Sequence, residues 1–267
     1  MISKEEWIKY LCEYYDVSLE EAIELGTRKD GRKPSLPGSP TCSPVSDMTM
    51  EDIWDLKERK TPSDIFDFYI DQGAWSAFRQ TIRHLELLDY HKAFWDFVEF
   101  DYSHICEYGC GVAPFTTSLL LNSSKDIFVD ISLSDVEGSE HLNFAEWKFN
   151  KIISEKDMKD VEFDICPVKP NALPKYDSEL DIVILHEVAE HLLSPVNTLK
   201  NLIDQIKDGG VILENFINHP PDDVDGPDLA SAASERDKFY ETLKTDFIII
   251  GGDPNTESNM TRVWQKQ

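Results

Sequence analysis

From Ser103 to the C-terminus the chain alternates short apolar runs with stretches of helical length, and no other property of its 267 residues restricts the fold as tightly. The runs His104–Tyr108, Asp126–Asp130, Glu162–Ile165, Leu180–Leu185, Gly210–Asn215, Asp246–Gly251 and Met260–Gln265 read as strands. Between most of them, Thr116–Leu121, His141–Ile153, Pro195–Ile206 and Ala230–Leu243 read as helices. Strands joined through helices of this length form right-handed βαβ units and a parallel sheet, and such sheets receive ligands at the carboxyl ends of their strands. Only the turn-rich segment 252–259 separates the last two runs. It is too short for a crossover helix, so these strands pair antiparallel.

The first hundred residues have a different texture. Trp7, Ile8 and Leu11 carry helical periodicity through Glu5–Leu11, and a capping box of Ser18 and Glu21 opens a second helix that ends near Gly26. Four prolines, Pro34, Pro37, Pro40 and Pro44, make 34–44 a loop. Further helices are expected at Thr49–Lys60, Ser63–Arg83 and Asp89–Phe100, with aromatic apolar faces that include Phe66, Phe68, Tyr69, Trp75 and Phe78. The expected organisation is a helical cap over residues 1–99 and an α/β domain over 100–267.

Charge narrows the partners. Against 51 Asp and Glu stand 26 Lys and Arg, a formal charge of −25, with no basic run longer than three. Such a surface disfavours phosphate backbones and anionic membranes. The 41% hydrophobic content still supplies a globular core. No apolar stretch has membrane-spanning length and the first residues lack a signal peptide's apolar region, so a cytoplasmic location is expected. Cys12, Cys42, Cys106, Cys110 and Cys166 are odd in number and form no CxxC, as suits reduced thiols.

The chemistry concentrates where a buried strand ends at Glu107 and Tyr108 and gives way to Gly109, Cys110, Gly111, Val112 and Ala113. Two glycines in such a turn let backbone approach a ligand closely. The dinucleotide fingerprint fails, because Pro114 stands where its third glycine or alanine belongs, and no P-loop pattern exists. An acid two residues before Gly-x-Gly, followed by an acid closing the next strand, resembles instead the class I S-adenosylmethionine-dependent methyltransferases, with Ala113 in place of the usual last glycine. The segment from Asp181 to Leu192, containing His186, Glu187, Glu190 and His191, resembles that family's fourth strand and the Glu-x-x-Glu-His element after it. The helix, glycine turn and strand from Ser194 to Leu213 also resemble the family.

This resemblance covers about residues 100–267. It implies a Rossmann-like α/β fold with a mostly parallel seven-stranded sheet and an antiparallel last strand, binding S-adenosyl-L-methionine as cofactor. Residue by residue it implies cofactor contacts from Glu107, Gly109, Cys110, Gly111, Asp130, Ile131, Asp164, Ile165, His186 and Glu187, with Asp130 on the ribose and Asp164 on the adenine. It also places a cap arginine, Arg79 or Arg83, against the methionine carboxylate, with Trp75 and Tyr69 as substrate walls. His191 or His186 would be the base, since imidazole titrates near neutrality and methyl transfer needs an aligned, deprotonated nucleophile.

The expected reaction is methyl transfer to an oxygen or nitrogen of a small molecule. The aspartates of 219–228 overhang the pocket and favour an uncharged or cationic acceptor. Glu187, Glu190 and His191 at i, i+3, i+4 share a helix face that, with His219 beyond the next strand, could hold a divalent metal. The element is similar to the Glu-x-x-Glu-His of the small-RNA 3′-end and ubiquinone-pathway O-methyltransferases, and that resemblance implies a second reading, a metal-assisted O-methyltransferase of the RNA 3′-end or catechol type, although a metal is not expected. A third is a non-catalytic fold that keeps the cofactor pocket, to which the replaced glycine at Ala113 lends support.

Overall fold

The computed structural model describes residues 2–27, 54–55, 58–98, 103–170, 172–218 and 228–267. The proline-rich loop 34–44, Cys42, His219, the aspartates Asp222, Asp223 and Asp225, the 99/100 boundary and most of the helix expected at Thr49–Lys60 lie outside these residues.

Seven strands, β1 Ser103–Tyr108, β2 Val129–Ser134, β3 Val161–Ile165, β4 Leu180–Leu185, β5 Ile206–Glu214, β6 Phe247–Gly252 and β7 Arg262–Lys266, form one sheet in the order β3-β2-β1-β4-β5-β7-β6. β1 to β5 run parallel and β7 is antiparallel to both its neighbours, as the short 252–259 link requires. Nine α-helices accompany the sheet among the described residues: α1 Lys4–Tyr15, α2 Leu19–Thr27, α3 Pro62–Gln72, α4 Ala74–His84, α5 Leu88–Phe97, α6 Pro114–Asn122, α7 Glu140–Lys156, α8 Pro195–Ile203 and α9 Ala230–Asp246.

The period-two alternation of buried strands divides the apolar residues between two cores. Ile105, Ile131, Leu133, Ile182, Ile184 and Leu213 face one core, with α1, α2, α4, α6 and α7 packed on it. Cys106, Val183, Leu185 and Ile212 face the other, with α8 and α9. The N-terminal helices therefore share a core with the sheet. Trp7 and Leu11 of α1 and Phe78 of α4 are buried in the same cluster as Phe115 and Phe149, and the Trp7 indole donates to the Thr81 carbonyl at 2.9 Å.

Two expected elements are corrected. The continuous helix over Ser63–Arg83 is two helices, because Gly73 adopts φ +55° and ψ −146°, a conformation glycine alone reaches cheaply. A capping box of Thr61 and Asp64 starts α3, which explains where it begins. The second strand runs over Val129–Ser134 and not Asp126–Asp130. Its register pairs Ser103 with Val129 and Tyr108 with Ser134, so that Val129, Ile131 and Leu133 all reach the core.

Leu11 is fully buried in the core that α1 shares with the sheet. Leu11→Ala should cost about 2–5 kcal/mol, and denaturant unfolding followed by far-UV and tryptophan signals should remain a single transition; two separated transitions would mark the helical segment as an independent unit.

Candidate active site

β1 delivers Glu107 and then the glycine turn. Gly109 and Gly111 take φ +63° and +52°, and a Cβ on Gly109 would come within 2.6 Å of Val188. A Cβ on Gly111 would collide with the amide of Gln80 from α4, whose oxygen accepts from Val112 N at 3.1 Å. Ala113 takes φ 49° and ψ 60°. The left-handed conformation survives the replaced glycine, so the methyl strains the turn without reshaping it.

Glu107 is buried and engaged within the protein. Its carboxylate accepts from Phe115 N at 3.2 Å, Thr116 N at 2.9 Å and Thr116 Oγ1 at 2.5 Å, capping α6. Burial pushes its carboxyl up to about 7, against these bonds and the nearby Lys148 ammonium. Lys148 is buried too, donates to the Val112 carbonyl and lies over the rings of Trp7 and Phe144.

The acid next to the glycine turn is Asp135. Its Oδ2 accepts from Gly111 N at 2.5 Å and its Oδ1 from Val136 N at 2.6 Å. Parallel register explains this: with Tyr108 opposite Ser134, the residue beside Gly109 is the one after Ser134. Asp130 lies at the other end of β2, opposite His104, and Asp164 lies opposite Ser132, below the strand ends. Neither lines the cavity at the strand ends, nor do Ile131 and Ile165; Asp135, Val136 and Val168 do. The assignment of Asp130 and Asp164 to the mouth is thus corrected by the longer course of the strands. A bridge between Val136 and Val168 continues the parallel pairing beyond Leu133 and Ile165.

That cavity, about 410 Å³, lies between the carboxyl ends of the central strands and helices α3 and α4. Glu107, Gly109, Cys110, Gly111, His186, Glu187 and His191 all line it, together with Tyr69, Arg79 and Arg83. Trp75 does not; it is buried away from the cavity, with Arg79 over its ring. A smaller cavity of about 300 Å³ adjoins it, and Arg83, His186 and Glu187 line both.

The segment after β4 is a turn followed by a 3₁₀ helix over Ala189–His191, so Glu187, Glu190 and His191 do not share one α-helical face. Glu187 sits at φ +55°, with its N–H donated to Asn215 Oδ1 at 2.6 Å and its carboxylate paired with Arg83 at 2.5 Å. Among the described residues no group of three or more His, Cys, Asp or Glu is arranged to hold a metal ion.

The two histidines differ. His186 packs between the rings of Tyr90 and Phe115, and burial, with Arg83 nearby, pushes it down to about 3. His191 instead has Nδ1 3.0 Å from Asp228 Oδ1 and faces the Tyr69 ring. A carboxylate on Nδ1 fixes ring orientation and tautomer, the arrangement of a general base.

Sequence reasoning missed Asp135 and Gln80, and it did not pair Asp228 with His191. The first was findable by counting register from the glycine turn. The others are tertiary contacts across 32 residues or more, with no local signal.

The model of the methyltransferase domain family matches residues 78–239. That is more than half of the chain, which therefore belongs to this family and, with the sheet order and glycine turn above, to the class I S-adenosylmethionine-dependent methyltransferases. No curated protein sequence matches it. Among solved structures it is similar to the pyocyanin biosynthetic protein PhzM (12% identity, TM-score 0.50, covering 78% of this chain and 62% of that one). It is also similar to the CurJ carbon methyltransferase (13%, 0.48, 77% and 66%) and to a SAM dependent methyltransferase from Aquifex aeolicus (16%, 0.46, 78% and 98%). The chain spans less than two thirds of the lengths of the first two, and at these identities the likeness is one of fold.

Burial pushes the carboxyl of Glu190 up from 4.5 to about 7, although His191 opposes the rise. The folded state thus holds this proton more tightly than the unfolded chain, and the contribution of Glu190 to stability falls as pH rises from 4.5 through 7, then levels. Glu190→Gln is uncharged throughout and should gain about 1–3 kcal/mol on wild type at pH 8, with the gain shrinking toward pH 4.5. Thermal melts at the two ends of this window check it.

Proposed function

We propose that the protein transfers a methyl group from S-adenosyl-L-methionine to a protonated oxygen or nitrogen of a small molecule. The observation that carries this reading is that one cavity is lined at once by the glycine turn with Asp135 and by the His191–Asp228 pair. The residues fit the cofactor: two glycines hold the turn at positive φ along the cavity wall, Asp135 offers acceptor oxygens at the turn, and Arg83 with Glu187 presents opposite charges to a zwitterionic amino-acid end. When bound, the cofactor supplies a methyl group activated by a sulfonium.

His191 takes the proton from the acceptor, Asp228 holding Nδ1 so that Nε2 is the basic nitrogen. His186, with its basicity depressed by burial, is a weaker base and a wall beside it. Glu107 supports the site from behind by fixing the start of α6. Contact of the cofactor with Gly109, Cys110, Gly111, His186 and Glu187 belongs to this reading, and Asp135 takes the place given in sequence to Asp130. The surplus of carboxylates favours an uncharged or cationic acceptor over a nucleic acid. No helix among the described residues is long and apolar enough to cross a membrane, and the cysteines among the described residues, Cys12, Cys106, Cys110 and Cys166, are free thiols, as suits the cytoplasm.

Calorimetry with S-adenosylhomocysteine tests the first half; wild-type protein that does not bind it defeats the proposal. For the second half, His191→Ala should retain binding while methyl transfer falls about 10²–10⁴-fold, and His186→Ala should fall less.

A further inference from the structure

Among the buried polar atoms without a hydrogen-bond partner in the described protein are Gln72 Nε2 and His141 Nε2, and both side chains line the cavity. They come from different elements, Gln72 from the last position of α3 and His141 from the first turn of α7. Their residues are 3% and 2% exposed. Leaving a buried polar group unmatched costs about 1–3 kcal/mol, and native proteins rarely carry that cost without a use for it. Both could have been apolar without disturbing any bond these two atoms make.

The surroundings indicate what they meet. His141 is hydrogen-bonded to the backbone of Ser76 and lies in the field of the Asp135 carboxylate. Burial lowers its pKa, so the ring is neutral. With the other ring nitrogen donating to Ser76, Nε2 is an acceptor. Gln72 Nε2 is a donor, and Asp135 is an acceptor already anchored through Gly111 and Val136. Two acceptors and a donor lining one cavity complement a pair of hydroxyl groups, each of which donates once and accepts.

Resting on the cofactor reading above, we infer that Gln72 and His141 bind the vicinal hydroxyls of the cofactor's ribose alongside Asp135. The helical segment before the sheet then contributes to cofactor recognition through α3, and α7 contributes through its first turn.

The experiment compares wild type, Gln72→Met and His141→Leu for binding of S-adenosylhomocysteine and of its 2′,3′-dideoxy analogue by calorimetry, with melting of the ligand-free proteins alongside. Gln72→Met should melt no lower than wild type, since an unmatched polar atom has been removed; His141→Leu also gives up the bond to the Ser76 backbone and is read by the contrast between the two ligands. Each variant should bind S-adenosylhomocysteine roughly 3- to 10-fold more weakly and the dideoxy analogue as wild type does. Gln72→Ala carries the same binding expectations should the methionine not pack. Wild type that binds neither ligand overturns the cofactor reading and this inference with it. Wild type that binds S-adenosylhomocysteine, with variants that keep full affinity or lose it equally for both ligands, overturns this inference alone.

Discussion

The carboxylate of Glu107 is the interaction on which the site depends. It closes the end of β1 onto the first turn of α6 through two backbone N–H groups and the Thr116 hydroxyl, and so dictates the path of the five residues between them. Those residues include both glycines with positive φ and the strained Ala113. Lys148 fastens the same loop from the side by its bond to the Val112 carbonyl. An anion at a helix start is favourable on electrostatic grounds, and burial of this one makes its partners obligatory. The turn is held by buried hydrogen bonds, which is why its backbone can be presented toward the cavity in a fixed shape.

Around this clamp the sheet does the positioning. Parallel neighbours end in one plane, so the glycine turn, Asp135 and His186 emerge together from β1, β2 and β4. Strand ends bring residues near one another; side chains from elsewhere complete the chemistry. Gln80 and Arg83 reach in from α4, and Asp228 approaches His191 from the stretch just before α9.

Most of the architecture was legible in the sequence because apolar period and helix length are local properties. The βαβ alternation, the antiparallel pair and the glycine turn all follow from residues within a few positions of each other. Strand ends were less legible. Asp130 resembled a closing acid because it follows Ile127, Phe128 and Val129, yet β2 only begins at Val129 and its buried rungs continue to Ser134; the register set by β1 decides that, and it is a tertiary fact. The break at Gly73 was hidden for a similar reason, since the apolar spacing continues across it on both sides. The His191–Asp228 pair joins residues 37 positions apart through a 3₁₀ turn where an α-helical start was expected, and no spacing rule reaches that far.

The bend at Gly73 carries a consequence for folding. Ile65 of α3 is anchored in one core and Ala74, Ala77 and Phe78 of α4 in the other, so the chain crosses the carboxyl edge of its own sheet like a strap. Neither core alone encloses the chamber beneath it. A partly assembled molecule with a native sheet but an undocked strap has no roofed chamber, and ligand occupancy then registers completion of both halves of the protein. By mass action, whatever fills the chamber tightens the strap over it and stabilises the whole molecule at once.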